Sequence, residues 1–502
     1  MSKARSNISA NYIGQIWSAV SVFIFVPFYL EFLGTEIYGL IGFYITLMGV
    51  LAFADAGLTA SLTRDMARLS SDEYDQSERG NLLKTYEVIY FGIASFIAIL
   101  IYLTAPYIAS HWLKTDDIPL EQLILLIKIM GVAIALQLPA NLFLGGILGL
   151  QKQVLANSLQ ISWSVFRGAG AIAMLYWVAP TIEVFFYWQL LSNLFYFIAT
   201  RHCIWKSVNL AKLQCKFDRY VILGSWKYAS GMFGMTLISI ALLQLDKIII
   251  SNLLSLELLG LYTLSGTIAS VPGVLGRPIT RAIFPKFTLL VAENKLEELY
   301  SLYHKSSEIV SLVIIPVALT GALFASKLMF IWVGSAEIAS ITANVTALLI
   351  LGALLQSLTA VPFHVALAFG NVSLNLRIGL LSIVIITPLL FLLIPNFGIE
   401  GAAFAWFIMN ILIIPPYIYF LHRRFLKHQI KKWLWNSIFK PLFVSFPILI
   451  LGLFLMPEIK SQLLSFLYIS GVWLITISCL VYSTSTARKI ASTYLKNWKY
   501  LC

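Results

Sequence analysis

Seven basic side chains lie inside stretches of this chain that are otherwise hydrophobic enough to cross a membrane. A Lys or Arg at the centre of a membrane helix costs roughly 2.5–3.5 kcal/mol, so such residues usually face a bundle interior or a water-filled cavity. Only two acids, Asp55 and Asp246, are placed comparably. This excess of positive charge predicts that the protein guides an anion through a membrane. The seven cations are Lys128, Arg167, Lys227, Lys247, Arg277, Arg281 and Arg377.

These cations fall into two groups by their depth within the predicted helices and by their spacing along the sequence. Arg167 lies near the centre of its predicted helix, where its side chain can least easily reach either membrane surface. Arg277 and Arg281 lie one helical turn apart, and two guanidinium groups on one face can hold a phosphate through paired hydrogen bonds. We expect these three arginines to form the centre of an anion site. The other four lie near helix ends, where a long side chain can extend to the interface at little cost. These four either flank the site or anchor the helix ends.

The segment around the arginine pair, SVPGVLGRPITRAIFP at 270–285, contains residues that disfavour a continuous helix. Pro lacks the backbone N–H, and Gly has more conformational freedom than other residues. A broken membrane helix frees backbone groups that can line a cavity. The segment therefore predicts a helix break at Pro272, Gly273, Gly276 and Pro278.

Three predicted helices carry polar side chains at helical spacing, and each set covers one face. Such a face either lines a cavity or bonds to a neighbouring helix, where each contact contributes about 0.6–2 kcal/mol. The set on the fifth predicted helix extends to Arg167, which favours a cavity there. The three sets are Asn11, Gln15, Ser18 and Ser21; Asn157, Gln160, Ser164 and Arg167; and Gln189, Asn193, Tyr196 and Thr200.

The two acids and one histidine are candidates for coupling transport to an ion. Asp55 either carries a proton or forms an ion pair with one of the cations. Asp246 and Lys247 are adjacent in sequence and therefore do not face each other on a helix, so each needs another partner. His364 is expected to be packed and hydrogen-bonded rather than proton-carrying.

The composition places the whole chain in a bilayer. Of its 502 residues, 59% are hydrophobic and only 12% are charged, which is too apolar for a soluble protein of this length. A spanning helix needs about 20 apolar residues, and the sequence contains fourteen such runs. They are 11–33, 38–62, 84–110, 121–149, 154–179, 182–201, 221–251, 257–284, 301–325, 340–368, 372–394, 398–421, 437–456 and 462–484.

The remaining Lys and Arg are distributed unequally between the loops. Alternate loops and both tails hold 25 of the 35 basic residues, while the intervening loops hold only Lys114, Lys327 and Lys460. The positive-inside rule therefore predicts that both termini lie in the cytoplasm. The net charge of +12 then reflects topology and attraction to membrane lipids rather than nucleic-acid binding. The basic stretch 422–433 is interpreted as an inner-face anchor.

The four cysteines form no CxxC pair, so neither a zinc site nor a disulfide framework is expected. We predict no metal and no cofactor. The N-terminus leads directly into a long hydrophobic run without a small-residue cleavage site, and we expect it to be retained.

The two halves of the chain resemble each other weakly at a nearly constant offset. The segment 36–40 matches 257–261, Leu138-Pro139 matches Val361-Pro362, and Gly149 matches Gly370. Because each copy contains six spans, both copies enter the membrane in the same direction, which makes the repeats parallel. We predict an N-terminal lobe at 1–219, a C-terminal lobe at 220–436, and two extra helices with a cytoplasmic tail at 437–502.

Four segments resemble the polysaccharide-biosynthesis flippases, the Wzx O-antigen flippase family: 33–44, 55–64, 245–270 and 398–407. The most specific feature is Asp246-Lys247 followed by Leu-Gly-Leu-Tyr at 259–262. The resemblance covers spans 1 to 12. It places the chain in the superfamily of multidrug, oligosaccharidyl-lipid and polysaccharide exporters, and implies two six-helix lobes in a V around a central cavity.

The resemblance also implies a substrate and a direction. The expected cargo is an oligosaccharide on undecaprenyl pyrophosphate, moved from the cytoplasmic to the periplasmic leaflet of a bacterial inner membrane. The expected protein is a transporter rather than an enzyme. Membrane lipids, a polymerase and other proteins of surface-polysaccharide assembly are its expected partners.

Three alternatives remain open from the sequence. An ion-coupled drug exporter of the same superfamily would favour acids in its cavity, whereas seven cations and two acids occur here. A lipid II-type flippase also has fourteen spans and a cationic lining. A membrane glycosyltransferase or polymerase could use Asp116 and Asp117, but the outward loops are too short to hold an acceptor.

Overall fold

The structure is a computed structural model that describes residues 2–55, 57–69, 76–208, 215–459, 461–484 and 488. Side chains are described except at 2–9, 12, 76, 219–232 and 235. The described residues are almost entirely helical, and their one extended pairing is an isolated bridge between Lys114 and Ser255. The predicted all-α fold is confirmed.

The chain divides into two compact units, Met1–Gly260 and Leu261–Cys502. In the first unit, α4 packs against α3 and α6, and α1 packs against α5 and α7. The elements of this unit are α1 (Ser2–Leu51), a 3-10 turn (Ala52–Asp55), α2 (Leu58–Arg68), α3 (Gln76–Tyr107), a π turn (Ile108–Trp112), α4 (Leu120–Gly149), α5 (Gln153–Trp177), α6 (Ile182–Val208), α7 (Arg219–Leu253) and the beginning of α8 (Leu256–Ala269).

In the second unit, α12 packs against α10 and α14, and α16 packs against α10 and α17. After the end of α8, its elements are α9 (Val271–Ala292), α10 (Leu296–Leu323), α11 (Ala325–Val333), α12 (Ala336–Leu358), α13 (Ala360–Ala368), α14 (Val372–Phe425), α15 (Ile430–Leu434), a π turn (Trp435–Phe439), α16 (Lys440–Phe454) and α17 (Gln462–Ser483).

Eleven helical stretches among the described residues are long and apolar enough to cross a membrane. Two of them, Ile13–Asp55 and Val372–Phe425, each contain two predicted spans. They are divided at Gly34 and Gly398, where positive φ angles of 78° and 57° interrupt the helix. Gly tolerates this conformation because it has no Cβ. The stretches match all predicted spans except the fifth. That span is α5, which is helical but less apolar because of its polar face. The chain is a multi-pass membrane protein.

The predicted break near the arginine pair is partly wrong. The interruption between α8 and α9 lies at Ser270, and α9 continues through Pro278 and Pro285. Pro272 lies in the first turn of α9, where its missing N–H removes no helical hydrogen bond. Each later Pro removes only one bond, which membrane helices tolerate.

The first unit brings matched positions of the sequence repeat into contact. A Cβ on Gly39 would lie 1.8 Å from the carbonyl oxygen of Leu256, and a Cβ on Gly260 would lie 2.6 Å from that of Thr35. Gly260 matches Gly39 at the offset of the repeat, and Leu256 matches Thr35 in the same way. The contact is therefore reciprocal, as expected when two copies are related by a rotation.

Candidate functional site

The side chain of Arg167 is positioned by aromatic residues of α5 and α6. Its guanidinium lies over the ring of Trp163, 4.5 Å from the ring centroid. Residues four apart on a helix are neighbours, and a cation over an indole is attracted to the electron-rich face. Trp163 in turn stacks on Tyr196 of α6, with centroids 4.5 Å apart and an interplanar angle of 20°. This stacking fixes the surface on which the guanidinium rests.

Two buried tyrosines of α1 lie within electrostatic range of Arg167. The Tyr29 hydroxyl donates a hydrogen bond to the carbonyl oxygen of Gly168 at 3.4 Å. The Tyr44 hydroxyl accepts one from Nδ2 of Asn193 at 3.2 Å. These neighbours are polar but uncharged in their phenol form, so they do not neutralise the arginine.

No carboxylate forms an ion pair with Arg167 in the part of the chain that the structure describes. The four ion pairs found there involve other residues. An arginine carries five N–H donors, and among the described side chains this half-buried one lies over the Trp163 ring without a hydrogen-bond acceptor. The guanidinium is therefore available to an anionic ligand.

Some residues of the three polar faces bond between helices. Asn157 Nδ2 donates to Oδ1 of Asn11 at 2.7 Å, which joins α5 to α1. Asn193 also donates to the carbonyl oxygen of Ala133 on α4 at 3.0 Å, and Gln189 is buried on α6. The bonds of Asn11, Asn157 and Asn193 stabilise helix packing, the alternative that the sequence left open for these faces.

Other residues of the same faces are more accessible. Gln15, Ser18 and Gln160 are exposed, and Ser164 is half-buried one turn before Arg167. These side chains, rather than the interhelical asparagines, remain candidates for contact with a ligand.

The remaining cations of the first unit differ in their surroundings. The Lys128 ammonium lies 4.2 Å from the centroid of the Tyr102 ring. Lys247 is half-buried on α7, and its backbone N–H donates to Oδ1 of Asp246 at 2.8 Å. Lys227 also lies on α7, but its side chain is outside the described residues. A ligand role for these three stays a prediction.

The predicted cations of the second unit are exposed. Arg277 and Arg281 lie on α9, and Arg377 lies near the start of α14. The Arg277 guanidinium bends back along its own helix, with Nη2 3.9 Å from the position of a Cβ on Gly273. Within the described residues, none of the three pairs with a carboxylate.

Asp55 is held by neutral hydroxyl groups and the backbone. It accepts hydrogen bonds from the Tyr90 hydroxyl, the Thr59 hydroxyl and, at 3.1 Å, the Thr59 backbone N–H. The last bond satisfies a free N–H in the first turn of α2. No described cation forms an ion pair with it. His364 is hydrogen-bonded through Nδ1 to Ala360 at 2.7 Å, as the sequence indicated.

The sequence did not identify Glu87 as a buried acid. Glu87 on α3 is completely buried and lies 2.6 Å from Arg201 of α6 and 3.4 Å from Lys84. Lys84 and Arg201 lie at the edges of predicted spans and belong to the 25 basic residues of the alternate loops and tails. The three-residue spacing of Lys84 and Glu87 was the available signal, since such pairs adjoin on a helix. The two cations compensate the buried carboxylate, and the Arg201–Glu87 pair joins α3 to α6.

A cavity of about 380 Å³ lies beside the Gly34 kink of the first unit. Its lining includes Glu36, Asp117 and Glu257. Glu36 accepts a hydrogen bond from the Thr115 hydroxyl at 2.5 Å. The cavity contains none of the predicted cations, and its acids would repel an anion.

Long apolar helices in two units, one of them carrying a half-buried arginine that no described carboxylate neutralises, define a multi-pass membrane protein. A sequence model of the family described as "Polysaccharide biosynthesis protein" matches residues 4–291. The chain belongs to this family.

Two curated relatives are similar in sequence. A protein of Shigella flexneri named "Putative O-antigen transporter" is 24% identical over 410 residues, which cover 79% of this chain and 94% of the relative. "Probable flippase AglR" of Haloferax volcanii is 21% identical over 265 residues, covering 53% of this chain and 54% of the relative.

Solved structures of transporters share the fold. The lipid II flippase MurJ in an inward closed conformation gives a TM-score of 0.71 at 14% identity, covering 95% of this chain and 99% of the other. An inward-facing multidrug resistance MATE family transporter of the MOP superfamily gives 0.66 at 13% identity, covering 84% and 98%. The predicted fold class is confirmed.

Proposed function

We propose that this protein is a flippase that moves an oligosaccharide linked to undecaprenyl pyrophosphate, an O-antigen or similar repeat unit, between the leaflets of a bacterial inner membrane. The observation that carries the proposal is Arg167, a half-buried cation on a membrane helix without a carboxylate partner in the described chain. Family membership and the named relatives support a lipid-linked saccharide as the cargo.

The electrostatic argument concerns the pyrophosphate. Moving this group out of the head-group region into a low dielectric is costly, and a fixed cation in a hydrated site lowers that barrier. An arginine already paired with a carboxylate would attract the pyrophosphate only weakly, because the two charges cancel. Arg167 retains its charge, and its aromatic support restricts its orientation before the ligand arrives.

The saccharide would meet neutral polar and aromatic side chains. Exposed Gln15 and Gln160 offer amide donors and acceptors. The polyprenyl tail can remain in lipid while the charged head passes. The proposal includes transport from the cytoplasmic to the periplasmic leaflet by alternating access, with both termini in the cytoplasm. It retains the two predicted lobes at 1–219 and 220–436.

A lipid II-type flippase is the second candidate. The structural similarity to MurJ extends over 95% of this chain, so it includes most of the segment beyond the predicted repeat. Both candidates carry a polyprenyl pyrophosphate and differ in the attached sugars.

The test uses cells in which this gene is deleted and replaced by variants. Arg167→Ala should abolish surface polysaccharide and cause the lipid-linked oligosaccharide to accumulate, while the protein remains in the membrane. Arg167→Lys should retain part of the activity, because it keeps the charge. Lys152→Ala, an exposed cation beside the start of α5, is the matched control and should behave as the wild type.

Normal polysaccharide in the Arg167→Ala strain would refute the assigned site. Normal surface polysaccharide in the complete deletion strain, together with accumulation of lipid II, would favour the second candidate.

A further inference from the structure

The connection between α14 and α16 carries a dense group of exposed cations. We name residues 422–440 the basic elbow. It includes the end of one membrane-crossing stretch, Val372–Phe425, and the beginning of the next, Ile430–Phe454, and therefore lies at a membrane surface. Its exposed basic side chains are Arg423, Arg424, Lys427, His428, Lys431 and Lys432.

Buried side chains hold the basic elbow against α10. His422 Nδ1 lies 2.8 Å from the carbonyl oxygen of Ile418, so this nitrogen carries the proton. Its Nε2 then accepts a hydrogen bond from the Tyr303 hydroxyl at 3.1 Å. Gln429 Oε1 lies 2.8 Å from Nε2 of His304. These contacts fix the elbow at both sides of its turn.

The turn itself is tight. His428 has a φ of 63°, in the left-handed region that non-glycine residues rarely adopt. The N–H of Gln429 donates to the carbonyl oxygen of Leu426 at 3.1 Å, which closes the turn. The cations before and after the turn are therefore held close together along the chain.

The second half of the basic elbow has a buried face and an exposed face. Trp433 and Ser437 are buried four residues apart. On the exposed side, Lys431 and Lys432 come first, and Trp435 and Phe439 follow. At 1.5 Å per residue, Lys432 and Phe439 are roughly 10 Å apart along the axis. The exposed face thus changes from cationic to aromatic over roughly 10 Å.

We propose that the basic elbow binds the phosphate groups of anionic phospholipids in the surrounding bilayer. Basic residues next to a membrane helix attract anionic lipids, and Trp is enriched at the level of the head groups. The location between two membrane-crossing stretches brings these phosphates within reach. The proposal goes beyond the transported molecule and does not depend on its identity.

The test compares phospholipids on the purified full-length protein in detergent. Phosphatidylglycerol or phosphatidylcholine is titrated while thermal unfolding is followed, and retained lipid is counted by native mass spectrometry. Phosphatidylglycerol should raise the Tm of the wild type, and phosphatidylcholine should not. In Lys431→Gln/Lys432→Gln, the half-maximal lipid concentration should rise roughly 30-fold.

Two matched variants test whether lipid binding depends on the positive charge of the basic elbow or on the total charge of the protein. Lys206→Gln/Lys286→Gln removes two exposed cations from other helices and should bind lipid as the wild type does. Lys431→Arg/Lys432→Arg keeps the charge and should also bind normally. If the glutamine variant fails to fold, the wild type still tests the proposal, because a tenfold rise in salt should weaken the phosphatidylglycerol effect.

Three results would overturn the proposal. One is an equal response of the wild type to both phospholipids, and another is an equal loss in the Lys206→Gln/Lys286→Gln control. The third is displacement of the retained phospholipid by equimolar polyprenyl phosphate, which would mean that the elbow holds the transported lipid instead.

Discussion

The surroundings of Arg167 in the first unit differ from those of Arg277 and Arg281 in the second. Arg167 is half-buried over Trp163, and the indole is itself stacked on a neighbouring helix. Arg277 and Arg281 are exposed on a single helix and have no aromatic contact among the described side chains. The first arginine is oriented by its neighbours, whereas the pair is held mainly by its own helix.

This difference bears on how each site would bind a phosphate. A side chain already ordered loses less conformational entropy when its ligand binds, whereas a mobile side chain costs about 0.5–1.5 kcal/mol to immobilise. Two adaptable arginines one turn apart can compensate for each other, and a single fixed one cannot. The first unit should therefore be sensitive to single substitutions and the second mainly to double ones.

The strongest test of this comparison is charge reversal at Arg167. Arg167→Glu should reduce transport roughly 100-fold or more, because a like charge in place of the guanidinium costs several kcal/mol against a phosphate. Flipping of a labelled polyprenyl pyrophosphate saccharide in proteoliposomes would measure this. Retention of half the wild-type rate would contradict a central role for Arg167.

A second test separates a ligand-binding arginine from a structural one. Arg201→Ala should lower stability by about 3 kcal/mol, because it removes a partner of the buried Glu87 carboxylate. Arg167→Ala should leave stability near the wild-type value, since no described carboxylate loses a partner. Thermal unfolding in detergent distinguishes the two, and equal destabilisation would argue for a structural Arg167.

A third test concerns the arginine pair. Arg277→Ala and Arg281→Ala should each retain most transport, while the double variant loses it roughly tenfold or more if both guanidiniums hold one phosphate. Lys at both positions should restore part of the loss if charge alone matters. A single substitution as damaging as the double one would show that the two do not compensate.

A smaller effect is expected from removing the aromatic support. Trp163→Leu should weaken ligand binding roughly fivefold, which corresponds to about 1 kcal/mol for a cation–π contact. Trp163→Phe keeps an aromatic face, so its ligand affinity should lie between those of Trp163→Leu and the wild type. A titration with polyprenyl pyrophosphate would measure the affinities.

The smallest effect concerns the acidic cavity, whose charge is opposite to that of Arg167. A hydrogen bond with the Glu36 carboxylate raises the pKa of Asp117 above its ordinary value. Because the folded-state pKa is raised, the stabilisation is present at low pH and is lost as the pH rises from about 4. The Tm of the wild type should fall over this range relative to Asp117→Asn. Parallel curves of Tm against pH for the two proteins would contradict a hydrogen bond in which Asp117 holds a proton against Glu36.

Much of the fold was predictable because a bilayer imposes a length and a polarity on each helix. The interruption at Gly34 falls in the gap between two predicted spans, and the one at Gly398 falls at the first residue of the predicted span 398–421. The expected break at Pro278 was wrong, since one missing N–H does not end a helix held by its neighbours. Such tolerance depends on packing, which hydropathy does not report.

The candidate site was only partly predictable. The sequence indicated Arg167 by its charge at a helix centre. It did not indicate which polar residues bond between helices, as Asn11 and Asn157 do across 146 positions. Nor did it pair Glu87 with Arg201, which are 114 residues apart.

The sequence by itself determined the membrane environment, the helical class and the excess of intramembrane cations, because these follow from side-chain chemistry and local periodicity. The tertiary structure decided which charges are neutralised. Glu87 finds Arg201 on another helix, while among the described side chains Arg167 meets an indole ring and tyrosines. Electrostatic pairing acts over a few ångströms, so it depends on contacts that only the packed helices create.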